Sequence, residues 1–183
     1  LFILSDSPPE KDIQWSEQGM ASAYKFIQKF WNLHNNIMEN LKSKKNKDSE
    51  TQDFEIFTNT LINKVSNNLE NFSYNVIVAN LHETYNFLSK NLNLISDEKN
   101  VLECYKKILI IFNPIIPHIT NECLENLKIN QEVQWPETNK NLIHKETINL
   151  VVQINGKKRD LLNLDVELSE KEILNKLMIN DKT

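Results

Sequence analysis

The chain has 183 residues, with 21 basic and 25 acidic side chains and a formal net charge of −4 at pH 7. That length can bury a real core without disulfides or metals, as one medium domain or a domain plus a smaller unit. The acidic balance counts against a general nucleic-acid binder, so any contact with phosphate has to come from local patches. No apolar run approaches the roughly 20 residues that cross a bilayer, which excludes a membrane-spanning helix.

Only two glycines and five prolines occur. Such scarcity of breakers favours long helices over a turn-rich β fold. Cys104 and Cys123 do not form a C-x-x-C pair. With no signal peptide in view they read as free thiols in a reducing, cytoplasmic compartment. A start at Leu1 on an apolar run reads as a segment of a longer protein.

In chain order, Leu1 to Leu4 reads as a strand end or a buried lead-in. Ser5-Asp6-Ser7-Pro8-Pro9 is loop, because the two prolines fix φ and restrict the residues before them. A first long helix begins near Ser16 or Gly19. Met20, Ala23, Tyr24, Ile27, Phe30, Trp31, His34, Ile37, Met38 and Leu41 recur at helical spacing as its apolar stripe. The charged run from Lys42 to Asp48 is an exposed loop. A second helix runs from about Thr51 to Asn71 on Phe54, Phe57, Leu61, Val65 and Leu69. A third runs from about Tyr74 to Leu92. Ser96 caps a fourth, with acid in its first turn to suit the helix dipole. The fourth stops near Asn113-Pro114, and Pro117 opens a short helix to about Leu127.

The texture changes after Trp135-Pro136. Thr147 to Asn155 is β-branched and partly alternating, Asn155-Gly156 is a strong hairpin signal, and Lys157 to Leu164 is the return strand. Ser169-x-x-Glu172 is a capping box for a helix carrying Ile173, Leu174 and Leu177. The fold class is therefore mainly α: an antiparallel helix bundle followed by a small, truncated α+β unit. Its divisions are a lead-in over 1–18, the bundle over 19–128, a linker over 129–144 and the second unit over 145–183.

Chemistry-bearing patterns are sparse. Two glycines cannot make a phosphate loop. His34, His82, His118 and His144 lack spaced partners for a zinc site. A Cys–His nucleophile is conceivable, but two buried thiols are the simpler reading. His34 reads as a hydrogen-bonded core residue and His118 as a helix-start residue. Pro114-x-x-Pro117 reads as buried, given its isoleucines. No catalytic or metal site is expected. The remaining candidates are cations: Lys25 and Lys29 one turn apart on the first long helix, and Lys157, Lys158 and Arg159 after the hairpin turn. Each can contact phosphate, and the alternative is a solvated surface that blunts a strand edge.

Four segments in order resemble leucyl-tRNA synthetases. The first is Ser7-Pro8-Pro9-Glu10-Lys11-Asp12-Ile13-Gln14-Trp15, then Gly19, Ala23-Tyr24-Lys25-Phe26-Ile27 and Phe30-Trp31. The second is Pro114-Ile115-Ile116-Pro117-His118-Ile119, which is similar to valyl and isoleucyl enzymes as well. The third is Trp135-Pro136. The fourth is Val151-Val152-Gln153-Ile154-Asn155-Gly156-Lys157-Lys158-Arg159, close to the family's V-Q-V-N-G-K-x-R, with Lys158 replacing a usually apolar residue. The resemblance implies an anticodon-binding bundle and the start of a C-terminal domain. It also implies that the partner is the leucine tRNA, without DNA or membrane, in a monomeric protein. ATP and magnesium would serve the parent enzyme's leucylation elsewhere, and no cofactor is expected in this region. Lys25, Lys29, Lys157 and Arg159 match basic positions of the family. Trp15, Trp31 and Trp135 are read as packing residues. The competing readings are the equivalent region of a valyl or isoleucyl enzyme, or a helical protein–protein module.

Overall fold

The computed structural model describes residues 1–42, 52–91, 98–128, 134–139, 142, 147–154, 157–165 and 171–174. They form α1 (Phe2–Ser5), α2 (Glu17–Lys42), α3 (Gln52–Glu70), α4 (Tyr74–Asn91), α5 (Glu98–Phe112) and α6 (Pro117–Asn126). These are followed by strands β1 (Thr147–Ile154) and β2 (Lys157–Asp165). The architecture is mainly α, with one two-stranded sheet among the described residues. Two compact units separate by their contacts, Leu1–Ile143 and His144–Thr183.

Of the two readings for Leu1 to Leu4, the buried lead-in holds and the strand end does not: Phe2–Ser5 is one helical turn, with Phe2 buried. Ser5 Oγ donates to the Phe2 carbonyl at 2.8 Å, satisfying a group that a single turn leaves open. A methyl group at Gly19 would collide with the Phe2 ring, so glycine there lets α1 lie against α2. Helix α2 starts where sequence places it. Ser16 Oγ accepts the Gly19 N–H at 3.1 Å, as an N-cap side chain does.

The bundle core joins Phe26, Phe30, Leu33 and Ile37 of α2 to Leu61, Ile62 and Val65 of α3. Ile77, Leu81 and Leu88 come from α4, and Ile108, Leu109 and Phe112 from α5. Helix α3 packs on α4 and α5, and α6 packs on α5 and α2. These are the apolar stripes of the sequence meeting one another, and their burial is the main stabilising term. Two members of the expected α2 stripe do not join it. Met20 and Tyr24 are exposed, because the face that packs runs through Phe26, Phe30 and Leu33 instead. The stacked Phe57 and Phe87 rings, 3.7 Å between centroids, tie α3 to α4.

Between α3 and α4 the chain reverses in three residues. Phe72 takes the left-handed conformation, φ 53°. The Ser73 N–H reaches the Asn68 carbonyl at 2.8 Å and the Phe72 N–H reaches Leu69 at 3.1 Å. This closes the helix end in the manner usual for glycine. At the other corner, Asn113 Nδ2 donates to Thr120 Oγ1 at 3.0 Å and to Asn121 Oδ1 at 2.7 Å, bracing the break between α5 and α6. Ile115 and Ile116 are buried there, as expected of a packed corner.

In the second unit β1 and β2 pair antiparallel, from Thr147 opposite Asp165 to Ile154 opposite Lys157. Val152 faces Asp160 but Gln153 faces Lys158, so Arg159 is an inserted residue and the ladder bulges at it. Residues 171–174 are helical. The Ser43–Asp48 part of the charged run, the Ser96 cap, the Asn155-Gly156 turn and Ser169 of the capping box lie outside the described residues. So do Leu177, His144 and most of the 129–144 linker.

Candidate functional site

Helix α2 presents the clearest polar surface. Lys25 and Lys29 are both exposed, four residues apart and thus one turn apart on one side of the helix. Between Glu17 and Glu39 the helix carries no acidic residue. Two cations in an acid-free stretch create a local positive surface on a chain of negative net charge.

The hairpin places its basic residues differently. Arg159 is exposed and occupies the bulge, a position that turns a side chain away from the regular alternation. The backbones of Lys157 and Lys158 pair with Ile154 and Gln153. Their side chains lie outside the described residues. The expected cations thus fall into two groups, one in each compact unit.

The three tryptophans divide. Trp31 is partly buried and stacks on His34, with centroids 5.4 Å apart, so it packs. Trp15 is 71% exposed and touches Phe2 only edge-on, so the packing role expected for it is not met. Trp135 is exposed too, and its Nε1 donates to Ser66 Oγ at 3.0 Å. With Asn59 Oδ1 accepting from the Asn139 N–H at 2.9 Å, it fastens 134–139 along α3. No pattern in the sequence pointed to Ser66 or Asn59, because the contacts span 69 and 80 residues.

The buried titratable groups lie inside the bundle core. His34 Nδ1 lies 3.0 Å from Tyr105 Oη, and the Cys123 thiol is fully buried in the same core. Burial holds the His34 imidazole below its ordinary range. Burial also pushes Tyr105 well up and the Cys123 thiol up to about 12. A thiol held protonated and fully enclosed is no nucleophile. Cys104 is buried as well; desolvation raises its thiol, which donates to Asn100 Oδ1 at 3.5 Å. His118 is exposed at the start of α6. Among the described residues no three His, Cys, Asp or Glu side chains gather as metal ligands would.

Residues 51–174 match the family model described as the anticodon-binding domain of tRNA ligase. The chain is 33% identical to a leucine–tRNA ligase of Petrotoga mobilis over 99% of its own length and 24% of that protein. It is 30% identical to the leucine–tRNA ligase of Prochlorococcus marinus strain AS9601 over 94% of its length and 21% of that protein. It therefore spans about a quarter of the length of these relatives. Among solved structures, it shares its fold with the LeuRS of Agrobacterium radiobacter K84, solved as a ternary LeuRS–tRNA–LeuAMS complex. The TM-score is 0.70 at 24% identity, covering 99% of this chain and 25% of that one. With a family model matched over most of its bundle and hairpin, this chain belongs to the anticodon-binding domains of tRNA ligases.

Proposed function

We propose that the chain docks the leucine tRNA, and that it does so for a leucine–tRNA ligase whose ATP- and magnesium-dependent leucylation is carried out elsewhere. The carrying observation is the exposed Lys25–Lys29 pair on the acid-free stretch of α2, the helix that precedes the residues 51–174 matched to this family. Ammonium groups one turn apart suit successive backbone phosphates, which fix position and orientation without reading sequence. Arg159, with Lys157 and Lys158 beside it in sequence, is a second phosphate-contacting group. A tRNA held in this way has its acceptor end presented to a distant catalytic site, so the role is positioning. The protein acts as a cytoplasmic monomer in this reading.

A titration of the chain against leucine tRNA and an unrelated tRNA, at two salt concentrations, tests the proposal. Preferential, salt-sensitive binding is expected. Lys25→Ala with Lys29→Ala should flatten the salt dependence by roughly one to two counterions. Equal binding of both tRNAs, or a double variant that binds like the parent, overturns it.

A second reading, a helical protein–protein module, is favoured by the exposure of Ile3 and Trp15 beside the buried Phe2. It predicts that Trp15→Ala leaves tRNA binding intact and abolishes association with a protein partner.

A further inference from the structure

The two lysines do not exhaust the exposed side of α2. Tyr24 stands beside Lys25 and is 64% exposed, although it is a large aromatic on a helix with a well-buried opposite face. It is not loose: Gln28 Nε2 donates to Tyr24 Oη at 3.0 Å. That bond links two residues one turn apart and holds the ring on the surface instead of letting it fold toward the core. Asn32 and Asn36 are exposed further along. At 3.6 residues per turn, Lys25, Lys29, Asn32 and Asn36 share one narrow stripe, Gln28 borders it, and Tyr24 lies beyond Gln28, about 100° round the helix from Lys25. From Tyr24 to Asn36 the ridge extends about 18 Å.

We infer that Tyr24 is a nucleotide-stacking residue of the tRNA-docking face, oriented by Gln28, and that Asn32 extends the face as a neutral donor to the sugar–phosphate backbone. The inference rests on the tRNA-docking reading above. Charge decides the occupant: the exposed side of α2 carries the ring, two ammonium groups and several side-chain amides, with no carboxylate from Gln18 to Met38. A polyanion with flat bases complements that surface on both counts. Ring faces accept unpaired bases irrespective of sequence, and neighbouring cations neutralise the phosphates on either side.

The test is fluorescence anisotropy of the full 183-residue chain with a labelled leucine tRNA across a salt series. The variants are Tyr24→Ala, Tyr24→Phe, Gln28→Ala, Asn32→Ala and the double lysine variant. All substituted side chains are exposed, and the helical circular dichroism of each variant should match the parent. Tyr24→Ala is expected to weaken binding about ten-fold with an unchanged salt slope, because stacking releases no counterion. Tyr24→Phe should lose no more than Gln28→Ala, since the ring remains and only the hydrogen bond that orients it is lost. Gln28→Ala should lose about two- to five-fold, and Asn32→Ala no more than that. Binding by Tyr24→Ala within about two-fold of the parent, while the double lysine variant is impaired, overturns the stacking role and leaves docking standing. A reduced salt slope for Tyr24→Ala overturns it too, by showing an electrostatic effect. Absence of tRNA binding by the parent chain overturns both readings together.

Discussion

The two compact units solve the problem of burying apolar surface to very different degrees. In the bundle, α2 to α6 each give a stripe to a common core, and Val65, Ile77, Leu81, Ile108 and Phe112 are fully enclosed. In the second unit, Val151 and Leu161 are paired across the strands yet remain 45% and 46% exposed. A helix can offer its stripe to several neighbours, whereas a lone hairpin has two faces and one partner. The comparison teaches that basic residues of similar type rest on unequal foundations. Lys25 and Lys29 project from a helix anchored along its whole inner face, while Arg159 sits on a bulged ladder.

The largest test of this contrast is a pair of truncations. Leu81→Ala in the bundle should cost about 3–4 kcal/mol, from lost burial and the cavity left behind. Val151→Ala should cost under about 0.5 kcal/mol, as its side chain keeps much of its contact with water. Equilibrium urea unfolding of both variants measures the difference, and equal losses would show that the hairpin is as deeply anchored as the bundle.

Next in size is the buried His34–Tyr105 pair. Tyr105→Phe removes the only hydrogen bond given to the His34 ring among the described residues and should cost about 1–2 kcal/mol. The pH response follows from the same burial. The folded His34 pKa lies below the unfolded value near 6.5, so the unfolded chain binds the extra proton first. This part of the stability is complete above about pH 6.5 and is lost as pH falls below it, with a limiting slope of about 1.4 kcal/mol per pH unit. Urea midpoints at about pH 7.5, 6.5 and 5.5 read it. A midpoint that rises on acidification would contradict a neutral buried imidazole.

Phe72 offers a gain instead of a loss. A β-carbon in the left-handed region is disfavoured, and the ring is 61% exposed, so little packing is sacrificed by removing it. Phe72→Gly should stabilise the bundle by about 1 kcal/mol, read as a higher urea midpoint. The smallest effect concerns the strap beside α3. Ser66→Ala removes the acceptor for Trp135 at the protein surface and should cost about 0.5 kcal/mol. Indole fluorescence should report a wetter Trp135 in that variant, while the bundle's unfolding midpoint barely moves.

Sequence reading located the long helices because each buries one face on a single core, and such burial leaves a 3.6-residue imprint. It also identified the corner at Pro114–Pro117 and the two strands, since proline and β-branched residues act through local backbone sterics. For Leu1–Leu4 it left a strand end or a buried lead-in open, and did not foresee a helical turn. Four apolar residues carry no usable period, and their helical turn exists because Phe2 has Gly19 to pack on. For the candidate site, Lys25 and Lys29 were visible as cations off the apolar stripe. Tyr24 was not, because an aromatic at that spacing reads as core until a structure shows it facing water.

The amino-acid sequence by itself therefore determined the helical class, the basic character of one face of α2, and the family resemblance carried by its ordered segments. Tertiary structure alone decided that Trp15 and Tyr24 stand exposed, that His34 meets Tyr105 in the core, and that Ser66 and Asn59 hold a segment far along the chain. The division has one physical cause. Periodicity and backbone sterics act within a few residues and are written in order along the chain. Exposure and long-range hydrogen bonds depend on which surfaces meet, and that is fixed only when the helices pack.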